Sequence, residues 1–519
     1  MRVADVLAET LAEAGTEVIF ALSGNQIMPI FDACLDRPIR LVHTRHEAAA
    51  GFMAEGYAQI SGKVGVALVT AGAGLGNAIS PLLTARASQT PLLLISGDSP
   101  VGMDGKGTFQ EMDQVALTRS ATKWSHRVRS ADNLAEDVRT ALRMAMSGQP
   151  GPVHLSVPVD ILGADIAAPT SGFVPAGEPE PDVSDLIAAL ASAERPLVLL
   201  GPDMNATRCE LSVSELGVPV ISMESPRGAN DPSLGRIGEA WKQADLVIVL
   251  GKPVDFSLRF GGVVLWPQAR WITVHGDAGE VARAERNLGE RLVSARLGTP
   301  RSVLAALHAR QSEVTDRQDW CSEVAGYCAA RPALDGSGLS SPEVCLAVNA
   351  LVGRATAPIF VSDGGEVGQW AQALVRAPRR IVNGVSGAIG GGIGYAIGAK
   401  AASPGSDVIL MMGDGTAGFH LTEFETAVRE ELPFVAVIGN DRRWNAEYEI
   451  QRRSFGEDRM HSCELSGARY DQAVEALGGF GAFVTRPEDL AAALSAALAS
   501  GKPACVNVMM EGRPAPSFG

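Results

Sequence analysis

A chain of 519 residues, 46% hydrophobic and 20% charged, has a globular composition, and its length predicts roughly three domains of about 150 residues each. A formal net charge of −15 excludes nucleic acid and anionic membrane as main partners, and no apolar run reaches the roughly 20 residues of a membrane span. Seven singly scattered cysteines without a CxxC pair point to reduced thiols, and Asp5 and Glu9 interrupt any signal-peptide core, so a cytoplasmic protein is expected.

From the N-terminus, Val3, Val6, Leu7 and Leu11 share one face of a helix that precedes a strand at Val18–Leu22. "RLVHT", a helix from His46, the strand "VGVALVT", a helix from Leu75 to about Gln89 and the strand "PLLLISG" follow. Two aperiodic stretches rich in Pro, Gly and acids, Ile166–Ser184 and Arg331–Pro342, read as linkers. They divide the chain into residues 1–165, 185–330 and 341–519. In the middle segment "PLVLLG", "VPVIS", "DLVIVLG" and "RWITVHG" read as strands; in the last, "PIFVSDGG", "DVILMMGDG", "FVAVIGND" and "ACVNVM" do. Strands alternating with helical patterns predict an α/β protein of three doubly wound parallel-sheet domains, the first and third alike in plan.

Several glycine motifs fail. No GK pair is followed by Ser or Thr, so a Walker-type phosphate loop is absent. "TAGAGLGNA" has Asn77 where a dinucleotide fingerprint needs its third glycine. "GVSGA" around Ser386 lacks the last glycine of a nucleophile elbow, and there is no HExxH. More informative is "VILMMGDGTAGFHLTEFETAVREELPFVAVIGND", in which two apolar runs end at Asp414 and Asp441 with one helix-length segment between them. In a parallel sheet both acids fall beyond the carboxyl ends of neighbouring strands, where ligands bind. Such hard oxygen ligands suit Mg²⁺ or Ca²⁺; Gly413, Gly415 and Gly418 let backbone approach a phosphate, and the following helix offers N–H donors. Taken singly, each acid also fits a turn or a helix cap.

The "GDG" at Gly413–Gly415, followed by 24 residues and then "ND", resembles the motif of thiamine diphosphate-dependent enzymes, in particular the acetolactate synthase and benzaldehyde lyase branch. "RHEAAAGFMAEGYA" (Arg45–Ala58), "VTAGAGLGN", "GTFQEMD" and "VSGAIGGGIGYAIGA" (Val385–Ala399) resemble further family segments in the expected order. The resemblance implies a pyrimidine-binding, a central and a diphosphate-binding domain, with thiamine diphosphate and Mg²⁺ as cofactors. Asp414, Asp441 (Asn in most relatives) and the main-chain carbonyl of Arg443 are then the metal ligands. Gly365, Glu366, Gly413, Gly415 and Thr416 fall at the diphosphate, and "GEV" at Gly365–Val367 departs from the family's Gly-Gln-His. Gly387 would offer a carbonyl to the 4′-amino group, and Ile389 would prop the cofactor in its bent form. Glu47 would hydrogen-bond pyrimidine N1′, and Gln110 would stand near the reacting carbon. Asn25 would face substrate, while Trp444 and His420 fit either a pocket lining or plain packing.

Because the family draws Glu47 and the diphosphate domain from different subunits, a homodimer or homotetramer is implied. The implied reaction is 2-oxo acid decarboxylation with carboligation, on a small-molecule 2-oxo acid, aldehyde or acyl-CoA substrate. A lyase of 2-hydroxy ketones or 2-hydroxyacyl-CoA is the alternative, suggested by "SLRFG" in the middle segment. A non-catalytic thiamine diphosphate-binding subunit is the reading from another class. "LGKPVDFSLRFGG" replaces the GARFDDR-like run of FAD-binding synthases, so FAD is not expected, and the short tail "EGRPAPSFG" leaves little chain for a closing lid.

Overall fold

Near-continuous runs of Val, Ile and Leu can only be strands covered on both faces, and in the computed structural model they build three parallel sheets. Residues 1–167, 180–209, 216–332, 334, 338–383 and 386–516 are described; most of the predicted linker Ile166–Ser184, part of Arg331–Pro342, and Val385 lie outside them.

The first sheet contains β1 (Val18–Ala21), β2 (Arg40–His43), β3 (Gly65–Val69), β4 (Leu92–Asp98), β5 (Trp124–Arg127) and β6 (Pro152–Pro158), in the order β2-β1-β3-β4-β6-β5. The middle sheet contains β7 (Pro196–Leu200), β8 (Val220–Ser222), β9 (Leu246–Leu250), β10 (Arg270–His275) and β11 (Leu292–Leu297), in the order β11-β10-β9-β7-β8. In the third, β12 (Ile359–Asp363), β13 (Arg379–Val382), β14 (Val408–Gly413), β15 (Val435–Asn440), β16 (Phe480–Val484) and β17 (Ala504–Met509) run β13-β12-β14-β15-β17-β16. Counted from the start of each sheet, the first and third have the same strand order. In both, the chain steps outward to the second strand and then returns to the far side of the first, leaving a crevice at the carboxyl ends of the first and third strands.

Two small-residue helices join these sheets. Glu47–Ser61 starts where His46 Nδ1 accepts the N–H of Ala48 at 3.1 Å and stops at Gly62 in the left-handed region, φ 71°. It lies against Gly392–Ala402 so closely that a Cβ at Gly398 would stand 2.0 Å from the Met53 carbonyl oxygen, and one at Gly56 2.6 Å from that of Tyr395. Side chains from both sheets, among them Phe20, Val69, Val361, Leu410 and Ile438, therefore share one apolar core. Glu55, in the middle of the first helix, is fully enclosed there and accepts hydrogen bonds from Thr84 Oγ1 (2.6 Å), Ser88 Oγ (2.6 Å) and Tyr395 Oη (3.1 Å). Burial raises its pKa despite these donors. All seven cysteines are free. Among the described residues no helix is long and apolar enough to cross a membrane.

Candidate active site

Each of the two like sheets carries a cluster of predicted site residues at its crevice. At the third sheet, β12 and β14 lie side by side, and so do β14 and β15. The loops that leave them converge on one cleft lined by Gly365, Glu366, Ile389, Gly413, Asp414, Gly415, Thr416, Asp441, Arg443 and Trp444, with Val367 and Asn445–Glu447. Every residue predicted for the diphosphate and the metal thus meets there, whereas Gly387 lines an adjoining cavity of about 420 Å³ that shares Gly365 and Ile389 with the cleft.

The electrostatics of this cleft favour positive charge. Asp414 and Asp441 are 1% and 6% exposed, and the Oδ2 of each lacks a hydrogen-bond partner. Asp414 Oδ1 accepts the N–H of its neighbour Gly415 at 2.9 Å, and Asp441 Oδ1 that of Arg443 at 3.1 Å. Burial pushes the Asp414 carboxyl up to about 6; burial, and then the charge of Asp414, push Asp441 up to about 7. Two enclosed carboxylates, both held above the usual range and each with an unpaired oxygen, fit a divalent cation. Among the described residues no three His, Cys, Asp or Glu side chains gather as a metal cluster, so an ion here would rest on this pair, a main-chain carbonyl, water and phosphate.

Backbone shape serves the same cleft. Arg442, at φ 61°, turns the chain between Asp441 and Arg443. A Cβ on Gly415 would strike the Trp444 ring at 2.7 Å, so the glycine lets the loop lie under the indole. Thr416 Oγ1 stands behind the loop, 2.7 Å from where a Gly364 Cβ would be. Glu366, the departure noted in sequence, does line the cleft; burial raises its pKa, while Arg227 and the N–H of Ala515 draw it back toward the charged form. The tail is more engaged than its length suggested. Asn445 Nδ2 donates to the Arg513 carbonyl at 3.3 Å, Trp370 Nε1 to that of Pro514 at 2.9 Å, and a Cβ on Gly512 would reach Asp441 Oδ2 at 2.2 Å.

At the first sheet, Glu47 is half-buried at the start of its helix and accepts a hydrogen bond from Asn77 Nδ2 at 3.0 Å. Nearby, Thr70 Oγ1 donates to Gln26 Oε1 at 2.5 Å and Gln26 Nε2 to Gln110 Oε1 at 2.8 Å, a chain that bridges the crevice between β1 and β3. Gln110 holds φ 62°, a strained value for a side chain of its size. Gln26, 5% exposed, is the hydrogen-bonded member of its loop; Asn25, the residue predicted to face substrate, is exposed. No sequence pattern marked Gln26, because its partners come from 44 and 84 residues away. Glu47 and Gln110 do not line the cleft of the third sheet or its adjoining cavity, so the predicted site residues fall in two groups on one chain.

Comparison with known proteins bears on both halves. Residues 1–117 match the model "Thiamine pyrophosphate enzyme, N-terminal TPP binding domain", and residues 363–508 match "Thiamine pyrophosphate enzyme, C-terminal TPP binding domain". A probable acetolactate synthase of Mycobacterium bovis is 33% identical, covering 98% of this chain and 96% of its own. The chain belongs to the thiamine pyrophosphate enzyme family. Among its relatives in that family, 2-hydroxyacyl-CoA lyase 2 of Bos taurus and of Homo sapiens are each 30% identical, over 93% of this chain and 85% of theirs. The three α/β sheets are those of a thiamine pyrophosphate enzyme, and decarboxylase, carboligase or lyase activity follows from membership and these relatives.

Proposed function

We propose that the chain binds thiamine diphosphate through Mg²⁺ held by Asp414, Asp441 and the Arg443 carbonyl, and decarboxylates a 2-oxo acid with transfer of the remaining acyl unit to a second carbonyl compound. The observation that carries the cofactor part is the enclosed Asp414–Asp441 pair with its unpartnered oxygens, at the mouth of a glycine-lined crevice. Bound there, the cofactor would supply a nucleophilic carbon able to attack a carbonyl. The protein's share is positional. Gly413, Gly415 and Thr416 would cradle the diphosphate, Ile389 would support the rings, and Glu47 would hold a proton at the pyrimidine. Gln110, fixed by Gln26, would donate from Nε2 to the reacting oxygen.

For the oxo-acid reading, the relative covering most of this chain among those named above is a probable acetolactate synthase. The adjoining cavity also suits a small acid: Arg227 and Phe256 line it beside Ile389, offering a cation and an aromatic ring. The relatives named as 2-hydroxyacyl-CoA lyase 2 favour a second reading, cleavage of a 2-hydroxyacyl thioester. A panel of pyruvate, benzoylformate, benzoin and a 2-hydroxyacyl-CoA, with CO₂ and aldehyde both followed, separates the two. CO₂ from an oxo acid supports the first; aldehyde without CO₂ replaces it with the second. Calorimetry tests the cofactor itself: Mg²⁺-dependent heat with thiamine diphosphate is expected from the wild type and is to fall at least tenfold in affinity in Asp414→Asn. We further infer that a second copy of the chain brings its Glu47 to the Asp414 cleft, because neither cavity there includes the chain's own.

A further inference from the structure

The turn that carries Ile389 is gripped from two sides by residues that no motif singled out for that purpose. Asp363 closes β12 and is 1% exposed. Its Oδ2 accepts the N–H groups of Gly390 (3.0 Å) and Gly392 (2.8 Å), and its Oδ1 accepts Asn383 Nδ2 at 2.8 Å. The same Asn383 amide donates to the Ala388 carbonyl. A buried carboxylate thus spends its acceptor capacity on a turn 27 and 29 residues away in the chain. From the other side, His420 Nδ1 lies 2.7 Å from the Gly390 carbonyl oxygen. A carbonyl only accepts, so Nδ1 carries the proton. The His420 ring is itself seated edge-on against His46 (5.7 Å) and Phe52 (5.6 Å) of the first-domain helix that begins with Glu47.

The turn is closely packed at its two clamped glycines. Gly390 sits at φ 93°, where a Cβ would stand 2.5 Å from Phe419 Cγ, and a Cβ on Gly392 would stand 2.8 Å from Asp363 Cβ. Ile389 directly precedes Gly390, so a loss of grip on the glycines is expected to shift it as well.

We propose that Asp363 and His420 are positioning residues that together fix Ile389 beneath the cofactor's rings, His420 transmitting to the turn the seating of the helix that carries Glu47. The proposal rests on the cofactor reading above, since Ile389 has that task only where thiamine diphosphate binds. In Asp363→Asn the side chain cannot keep its set: whichever way the amide faces, an NH₂ meets either the two glycine N–H groups or the Asn383 NH₂.

The test follows amide hydrogen exchange at Gly390 and Gly392 in cofactor-free protein, together with kcat and substrate KM at saturating cofactor. Asp363→Asn is expected to speed exchange about tenfold or more and to lower kcat about tenfold with KM little changed. His420→Leu is expected to lower kcat by a similar factor. His420→Asn, which keeps a donor near the Nδ1 position, recovers most of that loss; this pair also decides the matter should Asp363→Asn fail to fold. Wild-type exchange and kcat in both Asp363→Asn and His420→Leu, or His420→Asn as impaired as His420→Leu, overturns the clamp. A wild-type protein that takes up no thiamine diphosphate in calorimetry overturns the cofactor reading instead, and the two failures are distinct because exchange is read without cofactor.

Discussion

The first and third sheets follow one strand order, yet the crevices between their first and third strands are furnished in opposite ways. In the first, neutral amides and a hydroxyl close the gap, Thr70 to Gln26 to Gln110, with Glu47 alone to one side. In the third, two enclosed acids face an open cleft and leave oxygens unpaired. A shared topology gives both domains the same place to bind something, at the strand ends. What binds is decided by the few side chains the loops put there. Amides and a lone carboxylate suit a neutral heteroaromatic ring; an acid pair among glycines suits a metal-bound diphosphate.

The widest gap between the halves should appear when each is disabled in turn. Glu47→Gln is expected to cost roughly 10²- to 10⁴-fold in cofactor-dependent activity, the range for a removed proton-transfer group, with calorimetric cofactor affinity changed much less. Asp414→Asn should lose affinity and activity together. Mixing the two inactive proteins under subunit exchange sharpens the comparison. If one copy's Glu47 serves the other's Asp414, random pairing restores about a quarter of wild-type activity, because half the dimers are hybrids with one intact site of two. If both halves serve their own chain, every hybrid site carries one lesion and the mixture stays inactive.

The halves are joined by glycine contacts, and these set the next effect. Gly398→Ala places a methyl 2.0 Å from the Met53 carbonyl, where backbone and not a flexible side chain must yield. A loss of about 1–3 kcal/mol is expected in urea unfolding. Gly405→Ala, with nothing within 4 Å, should be neutral or slightly stabilising. Equal effects from the two would show that the helices do not meet as described.

Legibility in the sequence followed burial and chain distance. Strands enclosed on both faces, such as "VILMMG" and "LVIVL", announced themselves as unbroken apolar runs. The strands that escaped notice are mostly at sheet edges: β5 "WSHR", β11 "LVSARL", β13 "RRIV" and β16 "FGAFV" are partly exposed and mix polar or small residues into the run. β6 is central but carries His154 and Ser156 between two prolines. The helix predicted from Leu75 to about Gln89 is two pieces, Ala73–Asn77 and Ile79–Ala87. Motif residues within one loop were readable because their spacing is local; Gln26, Asp363 and Asn383 were not, since their partners arrive from elsewhere in the chain.

Acid and base should pull the two halves in opposite directions. His154, fully enclosed between β4 and β5, contacts Ser96 Oγ (2.9 Å), Thr118 Oγ1 (3.0 Å) and Ser125 Oγ (2.9 Å), and burial pushes it from 6.5 down to about 3. Its folded pKa lies below the unfolded one, so the stability it lends is present above pH 6.5 and lost as the pH falls toward 3. Asp363 behaves inversely. Burial raises it from 3.8 to about 6, so the stability tied to its neutral form is complete below 3.8 and lost to the cost of a buried charge as the pH rises through 6, while its oxygens still accept the three N–H groups. In cofactor-free protein, exchange protection corrected for intrinsic rates should fall around β6 in acid and around β12 between pH 5 and 8. Parallel slopes in the two regions would remove the distinction.

The smallest expected effect lies where the halves touch at the surface. Arg45 pairs with Glu425 at 3.3 Å, but its side chain is 54% exposed, so solvent and salt screen the attraction and Arg45→Ala should cost no more than about 0.5 kcal/mol. The stronger tie at the same point does not involve the arginine side chain. Glu423, 0% exposed, accepts the main-chain N–H of Arg45 at 3.0 Å and Thr426 Oγ1 at 2.7 Å, and burial raises it to about 7. Arg45→Ala leaves that bond intact, whereas Glu423→Ala removes the acceptor of the half-buried Arg45 N–H and of the buried Thr426 Oγ1 and should cost about 1–3 kcal/mol. Thermal unfolding at low and at 1 M salt separates the two: the small Arg45→Ala difference should vanish in high salt, and the Glu423→Ala difference should persist. An Arg45→Ala loss as large as that of Glu423→Ala would mean that the surface ion pair, and not the buried carboxylate, fastens the third domain to the helix that carries Glu47.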